Sequence, residues 1–347
     1  MAESVRVSAA YVLNRMTTYA PSVMLSRADP VLAAIGNYLG TAKINQPKEL
    51  QLVLSLGSFF VKKSNGDILP LLAKTSLERL EKVISDLSRG GPVLPGVYTW
   101  VGKSMESMSA LIKDPPDNPR DAANDILRQV LLIAAFGLEV IPAGESESRA
   151  QVSRVFQSGI SWLGGGVIPV LKTVVQHAVG KADWREMSVL LPLFTRLVAT
   201  VAESRTGVKE ILDVHFHSIV KRIWAVLPPN TDAFRLERTE MLGALHRLVF
   251  ALSGHGLSSV LVSPEDNLEV FGMVLKTVNE AMVTQKSCRK SALQMIAKLH
   301  SVWIADPHVD IVSDRGFGQA VETLEAYMEK ELDYEERQMV TTHGRKR

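Results

Sequence analysis

The chain has 347 residues, 46% of them hydrophobic and 22% charged, with 39 Lys and Arg against 37 Asp and Glu. A net charge of +2 excludes a generic, charge-driven nucleic-acid binder, and the apolar content excludes a disordered chain. The single cysteine, Cys288, excludes an intrachain disulfide or a thiol-paired zinc site and suits a reducing compartment.

The first residues carry Glu3, Arg6 and Arg15 without a continuous apolar core, so no signal peptide is expected there. The most apolar stretch, Val130 to Ile141, is interrupted by Glu139. It is shorter than the roughly 20 residues a bilayer requires, so a buried helix and no membrane insertion are expected. Helical periodicity dominates the rest. Val208, Ile211, Leu212, Phe216, Ile219, Val220, Ile223 and Leu227 form one stripe, with Lys209, Asp213, His217 and Lys221 opposite, and Pro228-Pro229 ends it. Ile68, Leu72, Leu77, Leu80, Ile84 and Leu87 form a second stripe; Cys288, Ala292, Met295, Ile296, Leu299 and Trp303 form a third. Asn65-Gly66 lies between helical patterns and reads as the tight turn of a helical hairpin.

First helices are predicted at about 4–19, 47–62, 93–113, 146–161, 183–203, 235–253 and 284–303. Second helices are predicted near 28–40, 67–88, 119–138, 165–179, 207–227, 265–283 and 314–331. The period is roughly 40–50 residues, that of HEAT repeats. The expected fold is all-α: a HEAT/ARM-type α-solenoid of about seven antiparallel helix pairs, one array through 1–347, with 333–347 as a loose tail. Each pair buries its stripe only against its neighbours.

No convergent catalytic constellation is visible, and no enzyme, cofactor or metal is expected. His215 and His217, two residues apart on a helix, point to different faces. Cys288 sits on an apolar stripe, where a thiol is inert more often than nucleophilic, even with His300 on the same helix. Gly164-Gly165-Gly166 lacks the Lys-Ser/Thr of a phosphate-binding loop and reads as a flexible joint; Gly254-His255-Gly256 reads as a loop. The acidic run Glu329, Glu331, Asp333, Glu335 and Glu336 reads as a solvated helix face.

The order of segments carries more information than any one of them. QPKELQLVLSLGSFFVKK (46–63) precedes ILPLLAKTSLERLEKVISDL, and later MSVLLPLFTRLVATVAE leads into VKEILDVHFHSIVKRIWAVL. A helix ending in Gly254 to Gly256, a Glu-Asp-Asn-led helix, and a helix running from Lys286 and Cys288 to Leu299 and Trp303 close the run. Over about residues 5 to 305 this order resembles the C-terminal part of the exportin-T family, the tRNA exportins of the karyopherin-β (importin-β) superfamily. The resemblance implies a nuclear export receptor that holds tRNA by shape and phosphate contacts together with Ran-GTP, and that shuttles between nucleus and cytoplasm past nuclear pore proteins. Family members are longer, so the resemblance implies a C-terminal fragment, a truncated gene model or a degenerate paralogue, with Ran-GTP expected on N-terminal repeats that this chain lacks. A karyopherin with a protein cargo and a HEAT scaffold outside transport are the alternatives.

In the family the second helices line the inner surface along which tRNA lies. Carried onto this sequence, that implies tRNA contacts at Lys74, Arg79, Lys82, Arg128, Lys172, Lys221, Arg222 and Lys276, with Arg120 and Lys209 on the same helices. Lys221-Arg222 leads the set, because no carboxylate is near it in sequence. The stripe Lys286, Arg289, Lys290 and Lys298 falls on a first helix and ranks lower.

Overall fold

The computed structural model describes residues 3–41, 47–200, 205–262, 268–282, 286–305 and 315–343, and every regular element among them is helical. The chain divides into two compact units, Met1–Val174 and Val175–Arg347. The sequence predicts one array. The division falls inside a helix, where no Gly-, Ser- or Pro-rich linker announces it.

The first unit contains α1 (Glu3–Tyr19), α2 (Pro21–Ser26), α3 (Ala28–Thr41), α4 (Pro47–Lys63), α5 (Leu69–Ser88), α6 (Val97–Leu111), α7 (Asp121–Val140) and α8 (Ser146–Leu163), and the division from the second unit falls in α9 (Ile168–Ala178). Helices α1, α4, α6 and α8 pack each against the next, and α3, α5 and α7 do the same beside them. The predicted helices are present, with two edges moved for local reasons. α6 starts at Val97 rather than 93, because Pro95 and a left-handed Gly96 (φ 76°) precede it. α9 starts at Ile168 rather than 165, because Gly164, at φ 52°, opens a tight 3-10 turn through Val167. The triple glycine is therefore a wound joint. Asn65 and Gly66 both take positive φ in the turn between α4 and α5, and the Gly66 amide closes it on the Val61 carbonyl at 2.8 Å.

Two features fix α8 in place. The first is Arg149, which has no exposed surface. Its Nη1 donates to the carbonyls of Leu138 (2.5 Å) and Ile141 (2.9 Å) at the end of α7. Those carbonyls lack helical partners, and a cation there opposes the negative end of the helix dipole. The second is a close approach of α6 to α8 at Gly102. A Cβ there would stand 2.9 Å from the Ser148 Cα and 3.1 Å from its carbonyl oxygen. By length and composition the run Ser146–Val175 is apolar enough to cross a membrane. A buried core helix passes the same test, and α8 is packed between α6 and α7.

The second unit contains α10 (Trp184–Thr200), α11 (Arg205–Val226), α12 (Arg235–Gly254), α13 (Glu269–Met282), α14 (Lys286–His300), α15 (Arg315–Glu331) and α16 (Tyr334–His343). Here α10, α12, α14 and α16 pack each against the next, and α11, α13 and α15 form the companion row. Asp183 caps α10, its Oδ1 accepting from the amides of Arg185 (2.9 Å) and Glu186 (3.0 Å). Pro228-Pro229 stops α11 as predicted. Arg238, near the start of α12, donates to the Pro228 carbonyl at 2.5 Å and to Glu280 of α13 at 2.7 Å.

Helices α10, α12 and α14 begin at residues 184, 235 and 286, two equal steps of 51. Their buried positions follow the same step: Leu190, Met241 and Ala292; Phe194, Leu245 and Ile296; Leu197, Leu248 and Leu299. After α14 the chain makes a π turn, Ser301–Ala305, where Trp303 lies between Phe271 (5.1 Å) and Phe317 (5.6 Å) and donates to Ser258 Oγ.

The expected loose tail needs correction over part of its length. α16 is a helix, because Asp333 and Glu336 form a reciprocal capping box: the Glu336 amide donates to Asp333 Oδ1 (2.8 Å), and the Asp333 amide to Glu336 Oε2 (3.0 Å). Glu336 is buried and accepts from Arg289 Nε of α14 at 3.1 Å. It therefore does not belong to a solvated acidic face. Gly344-Arg345-Lys346-Arg347 lies outside the described residues.

Among the described residues, the side-chain hydrogen bonds that join distant parts of the chain are similar in span. Most link residues between 38 (Trp162–Asn124) and 49 (Trp224–Met273) positions apart. Arg154–Glu106, Tyr327–Asn279 and Arg238–Glu280 are of this kind. The first two join a helix to its counterpart in the neighbouring pair and the third joins the two helices of one pair, so these ties stay local along the stack.

One tie is titratable. His246, fully buried in α12, places Nε2 3.0 Å from Thr277 Oγ1 of α13 and Nδ1 3.3 Å from Ser291 Oγ of α14. Burial, helped by the charge of Arg247, pushes its pKa from 6.5 down to about 3, against hydrogen bonding at Thr277. Between those values the unfolded chain binds a proton that the folded chain refuses, so stability falls as the pH falls. The second unit is expected to be roughly 2 kcal/mol less stable at pH 5 than at pH 7.5 through this group. Urea midpoints at the two pH values measure it. His246→Gln should flatten the dependence, and an equal pH loss in variant and wild type would reject the assignment.

Candidate functional site

The resemblance directs attention to the second helices, so the question is what charge they present. In the first unit Lys74, Arg79 and Lys82 are exposed on α5, but Glu78, Glu81 and Asp86 share that helix. The Arg79 guanidinium lies over the Trp100 ring, 5.5 Å from its centre. On α7, Arg128 pairs with Asp125 at 2.9 Å, while Asp121 and Glu139 add further negative charge. Arg120, just before α7, pairs with Asp67 of the α4–α5 turn at 2.9 Å. Lys172 is exposed on α9.

In the second unit the leading pair has partners that the sequence hides. Lys221 of α11 meets Glu269 of α13 at 3.2 Å, and the half-buried Arg222 donates from Nε to the Ala182 carbonyl at 2.6 Å. The expectation that Lys221-Arg222 stands clear of carboxylates holds along the chain and fails in space. Lys209 pairs with Asp213 at 2.6 Å. Lys276 is exposed and has no ion pair among the described residues, but Glu269 and Glu280 share its helix. α15 carries Glu322, Glu325, Glu329 and Glu331 against Arg315 and Lys330.

Taken as a row, the second helices are charge-balanced to acidic. The excess of basic residues sits on the first helices, and in the second unit most of it is on α14, whose sequence carries Lys286, Arg289, Lys290 and Lys298 and no acidic residue. Reading the second helices alone misses this. The equal 51-residue step between α10, α12 and α14 is the sequence signal that finds it.

The groups weighed for enzyme chemistry do not converge. Cys288 is buried, and His300 lies twelve residues further along α14, about 18 Å at 1.5 Å per residue. His215 and His217 are half-buried on α11, and burial lowers the pKa of His215. Among the described residues, no group of three or more His, Cys, Asp or Glu side chains is placed to hold a metal ion.

Comparisons with protein-family models, with curated proteins and with solved structures give no match. Fold and site together define an all-helical protein of stacked, sequence-adjacent helix pairs.

Proposed function

We propose that this chain is a HEAT-type α-solenoid working as the cargo-holding part of a nuclear export receptor, with tRNA as cargo and Ran-GTP as the partner that couples binding to the nucleus. The observation that carries the scaffold reading is the short reach of these polar ties, which stay within a helix pair or join it to its neighbour. Such an array exposes a long row of helices to a large ligand rather than enclosing a small one. The tRNA reading rests on the ordered resemblance from Val208 to Trp303. Structured RNA is held by shape, phosphates and 2′-hydroxyls, which needs spaced cations rather than a catalytic cluster. Coupling to Ran-GTP is a difference in affinity between two states, equal in both directions.

The test is fluorescence anisotropy of labelled tRNA at two salt concentrations, with and without Ran-GTP. The expected result is at least tenfold tighter binding of tRNA than of an unstructured RNA of equal charge. Equal affinities would remove tRNA as cargo. A second reading, a protein cargo, is favoured by the charge balance of the second helices and by Leu132 and Phe136, exposed one turn apart on α7. Affinity capture that returns Ran-dependent protein partners and no RNA would select it.

A further inference from the structure

Arg196, Arg247 and Lys298 are each the thirteenth residue of their helix, 51 positions apart in α10, α12 and α14. Buried residues at equivalent positions hold these helices in a common register, so the three cations form a rung-by-rung row. Arg196 and Arg247 are exposed, and neither takes part in an ion pair among the described residues.

The three helices themselves carry no acid beside the row. α10 has no Asp or Glu after Glu186, α12 none after Glu240, and α14 none at all. The ground beside the row is also cleared of bulk. Gly243, Arg247, Phe250 and Gly254 follow one face of α12 at steps of four, three and four. Arg247 Nη1 lies 3.4 Å, and Ser291 Oγ of α14 3.7 Å, from where a Cβ on Gly243 would stand; Lys298 Cε lies 3.6 Å from the same point at Gly254. Arg247 and Lys298 are therefore laid along the α12–α14 seam, at the two places where α12 has no side chain. Between them the Phe250 ring is 45% exposed.

We infer that this row, Arg196, Arg247 and Lys298 with Phe250, is an RNA-binding surface on the first helices of the second unit. The inference rests on the tRNA reading above and moves its contact away from the second helices. A row of separated cations suits a sugar–phosphate backbone, and an exposed aromatic ring among them suits a splayed base. An acidic peptide would use the cations but not the ring.

The experiment compares labelled tRNA binding, across a salt series, by the full chain, by Arg196→Gln/Arg247→Gln/Lys298→Gln, and by Lys74→Gln/Lys82→Gln/Lys276→Gln. The two triple variants lose the same charge. The row variant is expected to bind at least tenfold more weakly, with a log–log salt slope reduced by about 2 to 3. The second-helix variant is expected to stay within twofold of wild type. Circular dichroism and urea midpoints check folding. If the row variant unfolds, Arg196→Glu alone at the exposed end is expected to weaken binding, and Arg196→Lys to preserve it. Unchanged binding by the row variant, with loss in the second-helix variant, overturns the inference and leaves the tRNA reading standing. Wild-type binding no tighter than to unstructured RNA removes both. Polyglutamate competing as well as tRNA overturns the RNA assignment in favour of an acidic protein.

Discussion

Arg149→Met is expected to destabilise the first unit by about 3–5 kcal/mol, measured as the shift in its urea unfolding curve. Methionine preserves the length of the stem and removes the guanidinium. The carbonyls of Leu138 and Ile141 then lose a charged donor in a place water does not reach. An unsatisfied buried acceptor costs about 1–3 kcal/mol, and bonds to charged donors lie at the upper end. Loss of the cation at the end of α7 adds a helix-dipole contribution of up to about 2 kcal/mol in a buried setting. Arg149→Lys should recover only part of the loss, since one ammonium on an unbranched stem does not reproduce a planar fork. A methionine variant within about 0.5 kcal/mol of wild type would show that solvent or a shifted donor satisfies the end of α7.

Gly102→Ala is expected to destabilise the same unit by about 1–3 kcal/mol, and Gly102→Val by more. The added methyl meets Ser148 backbone atoms at 2.9 and 3.1 Å and also Gln151 Oε1. The glutamine can swing aside; the Ser148 backbone moves only if α8 moves. Alanine's better helix propensity, about 1 kcal/mol, offsets part of the strain. Gly36→Ala is the matched control. It too lies within a helix, α3, but a Cβ there meets nothing within 4 Å. It should be neutral or stabilising by about 0.5–1 kcal/mol. Equal effects of the two alanines on the urea midpoint would refute a contact-driven cost at Gly102.

The helices were legible because their signal is local. An apolar stripe at 3.6-residue spacing, closed by Pro228-Pro229 or opened after a glycine, needs no knowledge of distant residues. The sequence pattern sets the start of α6 too early because apolar Val93 and Leu94 extend the stripe, while left-handed Gly96 forbids the helix from following it. The carboxylate run hides α16 because it reads as solvated, although the Asp333-x-x-Glu336 spacing specifies a cap. The candidate site was less legible. Lys221 and Arg222 are isolated cations in the sequence, but Glu269 and the Ala182 carbonyl reach them through the packing of neighbouring pairs. Charge environment is set one repeat away, so a window of ten residues does not contain it.

That same short reach has a consequence for how the protein comes apart. Damage to one pair is felt by its two neighbours and decays beyond them, as in a chain of dominoes with weak springs. Each unit should therefore melt as a moving front, with the calorimetric enthalpy exceeding the van't Hoff value.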